Sequence, residues 1–93
     1  MAAYLIVNYD VTDPDGYRSY QKQAGPIMEG GKLLVLDTAS ERLEGDAGAQ
    51  TVVIEYPDRE TALKAYRSDA YQAVVGIRHD ATAKHRAMIV DGR

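Results

Sequence analysis

Four short runs of the chain are apolar with no polar alternate: Tyr4-Leu5-Ile6-Val7, Leu33-Leu34-Val35-Leu36, Thr51-Val52-Val53-Ile54 and Ala87-Met88-Ile89-Val90. A strand whose sheet has one wet face alternates apolar and polar residues. These runs do not, so the sheet they predict needs cover on both faces. Between them lie two segments with helical spacing. Tyr17, Tyr20, Gln21, Ala24, Ile27 and Met28 mark the first, and Ala62, Leu63 and Tyr66 the start of the second. Helices from two segments cover one face of a four-stranded sheet. A second copy of the chain is the simplest cover for the other.

Local signals set the boundaries. The first strand is expected over residues 3–10. Asp13 is a good helix N-cap and Pro14 a good first helical residue. Gly25-Pro26 should kink or interrupt the last turn, and Gly30-Gly31 should end the helix. Residues 32–38 form the second strand. The polar stretch 40–50, with Gly45 and Gly48, is a hairpin connection with room for a bulge or extra short strand at 41–44. Residues 51–56 are the third strand. Pro57-Asp58 stops it and caps a helix beginning near Arg59. Ser68 looks like a fresh N-cap, so a short helix is predicted over 69–77, with Tyr71, Val74 and Val75 inward. Residues 79–84 read as a polar connection and 86–90 as the fourth strand.

The order strand–helix–strand, strand–helix–strand is the split βαβ pattern of the ferredoxin-like α+β fold, βαββαβ, with a four-stranded antiparallel sheet. The handedness of such crossovers puts the helices on one face. Two open faces meeting across a dimer would make a dimeric α+β barrel.

Composition narrows the function classes. The 93 residues suit one domain, 1–93. Eleven Lys and Arg against 14 Asp and Glu leave a net charge of −3, which speaks against a nucleic-acid partner. No run of like charge suggests a membrane surface. The N-terminal stretch has neither the basic region of a signal peptide nor the length of a membrane span. The absence of cysteine excludes a disulfide framework and a thiolate nucleophile, and fits the cytoplasm. All seven aromatic residues are tyrosine. A buried tyrosine hydroxyl needs a partner, so these side chains either edge the core toward water or point into a ligand pocket.

Several polar residues are candidates for chemistry. Glu55 shares a strand face with Thr51 and Val53, opposite Val52 and Ile54. If Val52 and Ile54 pack on the helices, Glu55 faces the barrel interior. There it is either a general base with a raised pKa or one end of a bridge to Arg78, Arg86 or Lys32. Asn8 is polar inside a strand, held by a neighbouring strand or by a ligand. Arg78 follows Tyr71, Val74 and Val75; it can grip a carboxylate or phenolate, or serve only as a charge at a helix C-terminus. His79 and His85, the two histidines, lie six apart and form no metal motif, so no metal site is expected. His79 is a candidate acid or base against the alternative of a solvated loop residue. Tyr17, Tyr56 and Tyr66 are candidate ligand contacts.

An ordered set of short motifs resembles the uncharacterised family catalogued as domain of unknown function 1330, within the dimeric α+β barrel superfamily. It comprises Ala3-Tyr4-Leu5-Ile6-Val7, Val11-Thr12-Asp13-Pro14 followed by Tyr17, Gly30-Gly31-Lys32, Leu43-Glu44-Gly45, Val53-Ile54-Glu55-Tyr56-Pro57, Ala65-Tyr66-Arg67-Ser68 with Tyr71-Gln72, Arg78, and Val90-Asp91-Gly92. The set covers essentially the whole chain. The resemblance implies a homodimeric ferredoxin-like fold and no established reaction. The resulting expectation is a homodimer, using no cofactor, that binds a small organic molecule, aromatic or a conjugated carbonyl or carboxylate, between sheet and helices. The alternatives are a cofactor-free enzyme of isomerase, cyclase or monooxygenase type and a purely structural dimer. A deep pocket lined by Glu55, Arg78 and at least two tyrosines would favour the enzyme, and a solid core between sheet and helices a binding or purely structural dimer without turnover.

Overall fold

The computed structural model describes residues 1–28 and 30–93. The elements are β1 (Ala3–Val11), α1 (Pro14–Ile27), β2 (Lys32–Asp37), β3 (Gln50–Tyr56), α2 (Arg59–Arg67), α3 (Asp69–Ala81) and β4 (Thr82–Asp91). The strands pair antiparallel in the order β2-β3-β1-β4. This is the expected ferredoxin-like α+β architecture, with its second helical segment divided at Ser68.

The caps lie where the sequence puts them. The Asp13 carboxylate accepts from Gly16 N at 3.1 Å and the Asp58 carboxylate from Thr61 N at 2.7 Å. Ser68 Oγ accepts from Tyr71 N at 3.2 Å, which lets α3 restart immediately after α2.

Register assigns the two faces of the sheet. Leu5, Val7 and Tyr9 of β1 lie opposite Ile54, Val52 and Gln50 of β3, on the side the helices cover. Tyr4, Ile6 and Asn8 lie opposite Glu55, Val53 and Thr51, on the side without helices. The Cα envelope is only 16 Å along its shortest axis, the depth of one sheet and one helical layer. β2 is exposed along its whole length, including Leu33 and Leu36, whose register places them on the helix side. Among the described residues, α1 makes its main contacts with α3 rather than with this edge.

Three expectations need correction. Residues 79–84 are not a connection. α3 continues to Ala81 and β4 begins at Thr82 with no loop between them. The Ala81 carbonyl accepts from Thr12 N (2.9 Å) and Asp13 N (3.1 Å), and Thr82 Oγ1 donates to the Arg78 carbonyl (2.7 Å). These bonds satisfy two of the carbonyls at the helix end and tie it to the exit of β1. Residues 41–44 form no extra strand. Their connection is pinned by side chains of β1, with Ala49 N donating to Asp10 and Gly48 N to Asn8. Pro26 does not interrupt α1, which runs through it to Ile27.

Candidate functional site

A cavity of about 430 Å³ lies between α1 and the helix side of the sheet. Leu5, Val7, Val52 and Ile54 form its floor, and Tyr20, Gln21 and Ala24 of α1 its roof. Exposed Gln21 and Gly25 of α1, facing exposed Leu33 (56 %) and Leu36 (52 %) of β2, mark its mouth. The cavity exists because α1 packs on α3 and leaves the β2 edge uncovered.

Its inner wall is a cluster of four tyrosines around one arginine. Tyr9 comes from β1, Tyr17 and Tyr20 from α1, and Tyr71 and Arg78 from α3. The hydroxyls pair at hydrogen-bond distance, Tyr9 with Tyr17 and Tyr20 with Tyr71, both at 2.6 Å. The buried Gln50 amide donates to Tyr17 Oη at 3.2 Å. Arg78 lies on α3 two turns beyond Tyr71 and is 2 % exposed. Its guanidinium carbon is 5.5 Å from the Tyr9 ring centroid and 5.9 Å from that of Tyr20. Its Nη1 donates to Tyr71 Oη at 3.4 Å, while its buried Nε has no acceptor among the described residues.

Electrostatics follow from burial. Burial, reinforced by the hydrogen bond with Tyr17, pushes the Tyr9 hydroxyl far above the ordinary phenol range. Burial does the same for Tyr71 and raises Tyr20. Burial alone would lower the guanidinium pKa of Arg78, but the surrounding tyrosine oxygens, Tyr71 first, outweigh it and the net direction is upward. At neutral pH the cluster therefore combines neutral Tyr9, Tyr20 and Tyr71 with a fixed positive charge.

The candidate residues named from sequence are not all brought together. Tyr17 and Arg78 line the cavity. Arg78 stands in the last turn of α3, as the helix-terminus reading has it, and its side chain is buried. Tyr56 is buried outside the cavity lining, its hydroxyl 3.9 Å from Met28 Sδ and raised in pKa by burial. Tyr66 lies with its ring centroid 5.1 Å from that of Tyr71, tilted by 45°, and lines a separate groove with Leu63 and Met88. Asn8 is spent on structure: its amide donates to Gly48 O, Gln50 O and Thr51 Oγ1 at 3.0, 3.2 and 2.9 Å. Glu55 lies on the bare face, as its parity with Thr51 and Val53 implied. Its described partner is the Tyr4 hydroxyl at 3.3 Å, and the bridge to Arg78 does not form because the sheet separates the two. His79 is exposed on α3 and stacks on His85 at 4.7 Å. Desolvation, then the nearby Arg78 and His85, hold its pKa below the ordinary value.

Tyr9, Tyr20, Tyr71 and Gln50 were absent from the sequence-derived site. Their signals were present: Tyr9 shares strand parity with Leu5 and Val7, Tyr20 follows Tyr17 by one helical turn, and Tyr71 and Arg78 are seven apart on one helix face.

Among the described residues no helix is long and apolar enough to cross a membrane, and no group of three or more His, Asp or Glu is placed to hold a metal ion. Residues 2–93 match the model of the family described as "Domain of unknown function (DUF1330)". No curated protein matches the chain significantly. Among solved structures, a protein of unknown function from Rhodopseudomonas palustris superposes with a TM-score of 0.78 at 19 % identity, over 99 % of this chain and 82 % of that one. A cofactor-independent oxygenase from Streptomyces nogalater is similar at TM-score 0.69 and 8 % identity, over 99 % and 93 %. A dimeric ferredoxin-like protein of unknown function from Thermobifida fusca gives 0.68 at 13 % identity, over 99 % and 92 %. At these identities the likeness is one of fold.

Proposed function

Because the chain belongs to the family described as "Domain of unknown function (DUF1330)", whose name specifies no reaction, we propose its function from its own cavity. The protein is a homodimer that binds a small organic molecule, aromatic or a conjugated carbonyl or carboxylate, between the sheet and α1. The observation that carries this reading is the 430 Å³ cavity with an apolar floor and the Tyr9, Tyr17, Tyr20, Tyr71 and Arg78 cluster as its wall. Ligand sites commonly combine an apolar lining with a few convergent polar groups in this way. The floor suits a flat body, and the wall supplies hydroxyl and guanidinium donors.

The homodimer has separate support. Ile6, Val53, Val35 and Met88 lie on the sheet face that no helix covers, and Met88 is 50 % exposed. A dimeric relative shares the fold.

Turnover in the same cavity is the second reading, and the fold of a cofactor-independent oxygenase accommodates it. Among the described residues the cavity lining contains neither a carboxylate nor an imidazole, since Glu55 and His79 lie elsewhere. No described residue of the lining is of a type that usually provides a general base, whereas the apolar floor and the donor wall both support binding. Native mass spectrometry of protein freshly purified from its source tests the reading. A retained small organic molecule, lost when Ala24 at the cavity roof is replaced by Leu, is the expected result. No retained molecule, together with no thermal stabilisation by any member of an aromatic-acid and aromatic-ketone panel, would refute it.

A further inference from the structure

We propose that the cavity takes its ligand as a monoanion, an aromatic or conjugated carboxylate or enolate, whose negative charge is the counter-ion that Arg78 lacks among the described residues. This inference rests on the small-molecule reading above and specifies its chemical class.

The first argument is charge. The ion pairs among the described residues involve Arg18, Arg42, Arg59, Lys84 and Arg86, all at the surface. Arg78 is the most buried of the cations and has no described carboxylate within 4.0 Å. A buried charge is costly unless paired and hydrogen-bonded. The rings of Tyr9 and Tyr20 offset part of that cost through their faces, at distances near the limit of a cation–π contact. An incoming anion supplies the rest.

The second argument is hydrogen-bond accounting. Four tyrosine hydroxyls carry four hydrogens, and the two phenol–phenol bonds use one each. One hydroxyl hydrogen per pair is left without a described acceptor. Gln50 and Arg78 add donors to the cluster, at Tyr17 and Tyr71, and no acceptor for those hydrogens. Arg78 Nε–H is a further unspent donor. The wall therefore has donors in excess, and the molecule that completes it must bring acceptors. A carboxylate does so with two oxygens, in the planar geometry that a guanidinium edge grips bidentately. A neutral amide presents one oxygen and adds donors of its own.

Matched probes test the proposal on the full chain. A panel of planar acids, among them 4-hydroxycinnamate and 2-naphthoate, is titrated beside the corresponding amides, with calorimetry and thermal unfolding as readouts. The carboxylates should bind at least about tenfold more tightly than their amides at neutral pH. Arg78→Met should erase that preference and, without ligand, melt no lower than the wild-type protein, since an unpaired buried charge has been removed. Arg78→Lys should keep part of the preference. Amides that bind as well as the acids would overturn the anion while leaving the small-molecule reading intact. Failure of both series across the panel would overturn both. Millimolar chloride or sulfate protecting as strongly as the carboxylates would overturn the organic class. An Arg78→Met variant that is unfolded or melts far lower would make Arg78 structural and also overturn the proposal.

Discussion

Asn8 and Glu55 are polar residues inside the sheet, and their surroundings give them different roles. Asn8 holds the β2–β3 connection against β1 through donors to Gly48 O, Gln50 O and Thr51 Oγ1, and Gly48 N donates back to its carbonyl at 2.6 Å. Gly48 has to be glycine because a Cβ there would lie 2.2 Å from the Tyr9 carbonyl carbon. Asn8→Ala strands the buried Gly48 N–H and should cost about 1–3 kcal/mol in chemical denaturation; a cost near zero would mean water replaces the amide freely. Glu55 makes one hydrogen bond, with Tyr4, and no described cation touches it. Glu55→Gln keeps an acceptor there, so its stability should stay within about 0.5 kcal/mol of wild type. Ligand affinity should also be unchanged, because the sheet lies between Glu55 and the cavity. A large loss of affinity or turnover in Glu55→Gln would place the functional site on the bare face instead.

At the level of elements, the helix starts respond most directly to single changes. Asp58 caps α2, and its bonds from Thr61 hold its carboxyl below the usual carboxylate value. Asp58→Ala should lower the melting temperature by roughly 4–8 °C, and Asp58→Asn by much less, since asparagine also accepts from the N3 amide. The sign of the pH effect follows from the depressed pKa. The stabilisation is present above the unfolded-state pKa and is lost as pH falls through the lower folded value. The gap between wild type and Asp58→Ala should therefore be constant near neutrality and narrow below about pH 4. A gap that widens in acid would contradict the cap. Asp10 is depressed in the same direction by its bond from Ala49 N, then by Lys84 and Arg42. Acid should therefore loosen the β2–β3 connection as well.

For the whole molecule, the bare sheet face decides assembly. Met88, on the edge strand β4, lies on it opposite Ile6 and is half exposed. Sedimentation at micromolar concentration should give a dimer, and Met88→Asp should shift it to monomer without loss of secondary structure. The interface expected of a stable pair exceeds about 1,200 Å² in total. A wild-type protein that sediments as a monomer throughout would leave this apolar face unexplained and would sink the dimer.

Element order, helix caps and strand parity were legible in the chain because each depends on neighbours within a few residues. Asp13, Asp58 and Ser68 cap the helices they precede. The parity of Glu55 with Thr51 and Val53 correctly placed it away from the helices. What local pattern could not decide was which distant groups share a space. Arg78 reads as an ordinary cation near a helix end until α3 is packed against Tyr9 and Tyr20, which turns it inward under α1. The length of α3 depended on Thr12 and Asp13, nearly seventy positions earlier, donating to the Ala81 carbonyl. The cavity itself arises because α1 rests on α3 and leaves the β2 edge open. Periodicity along a chain specifies which side of an element is apolar; only the packing of elements decides where a gap remains and which charge is enclosed beside it.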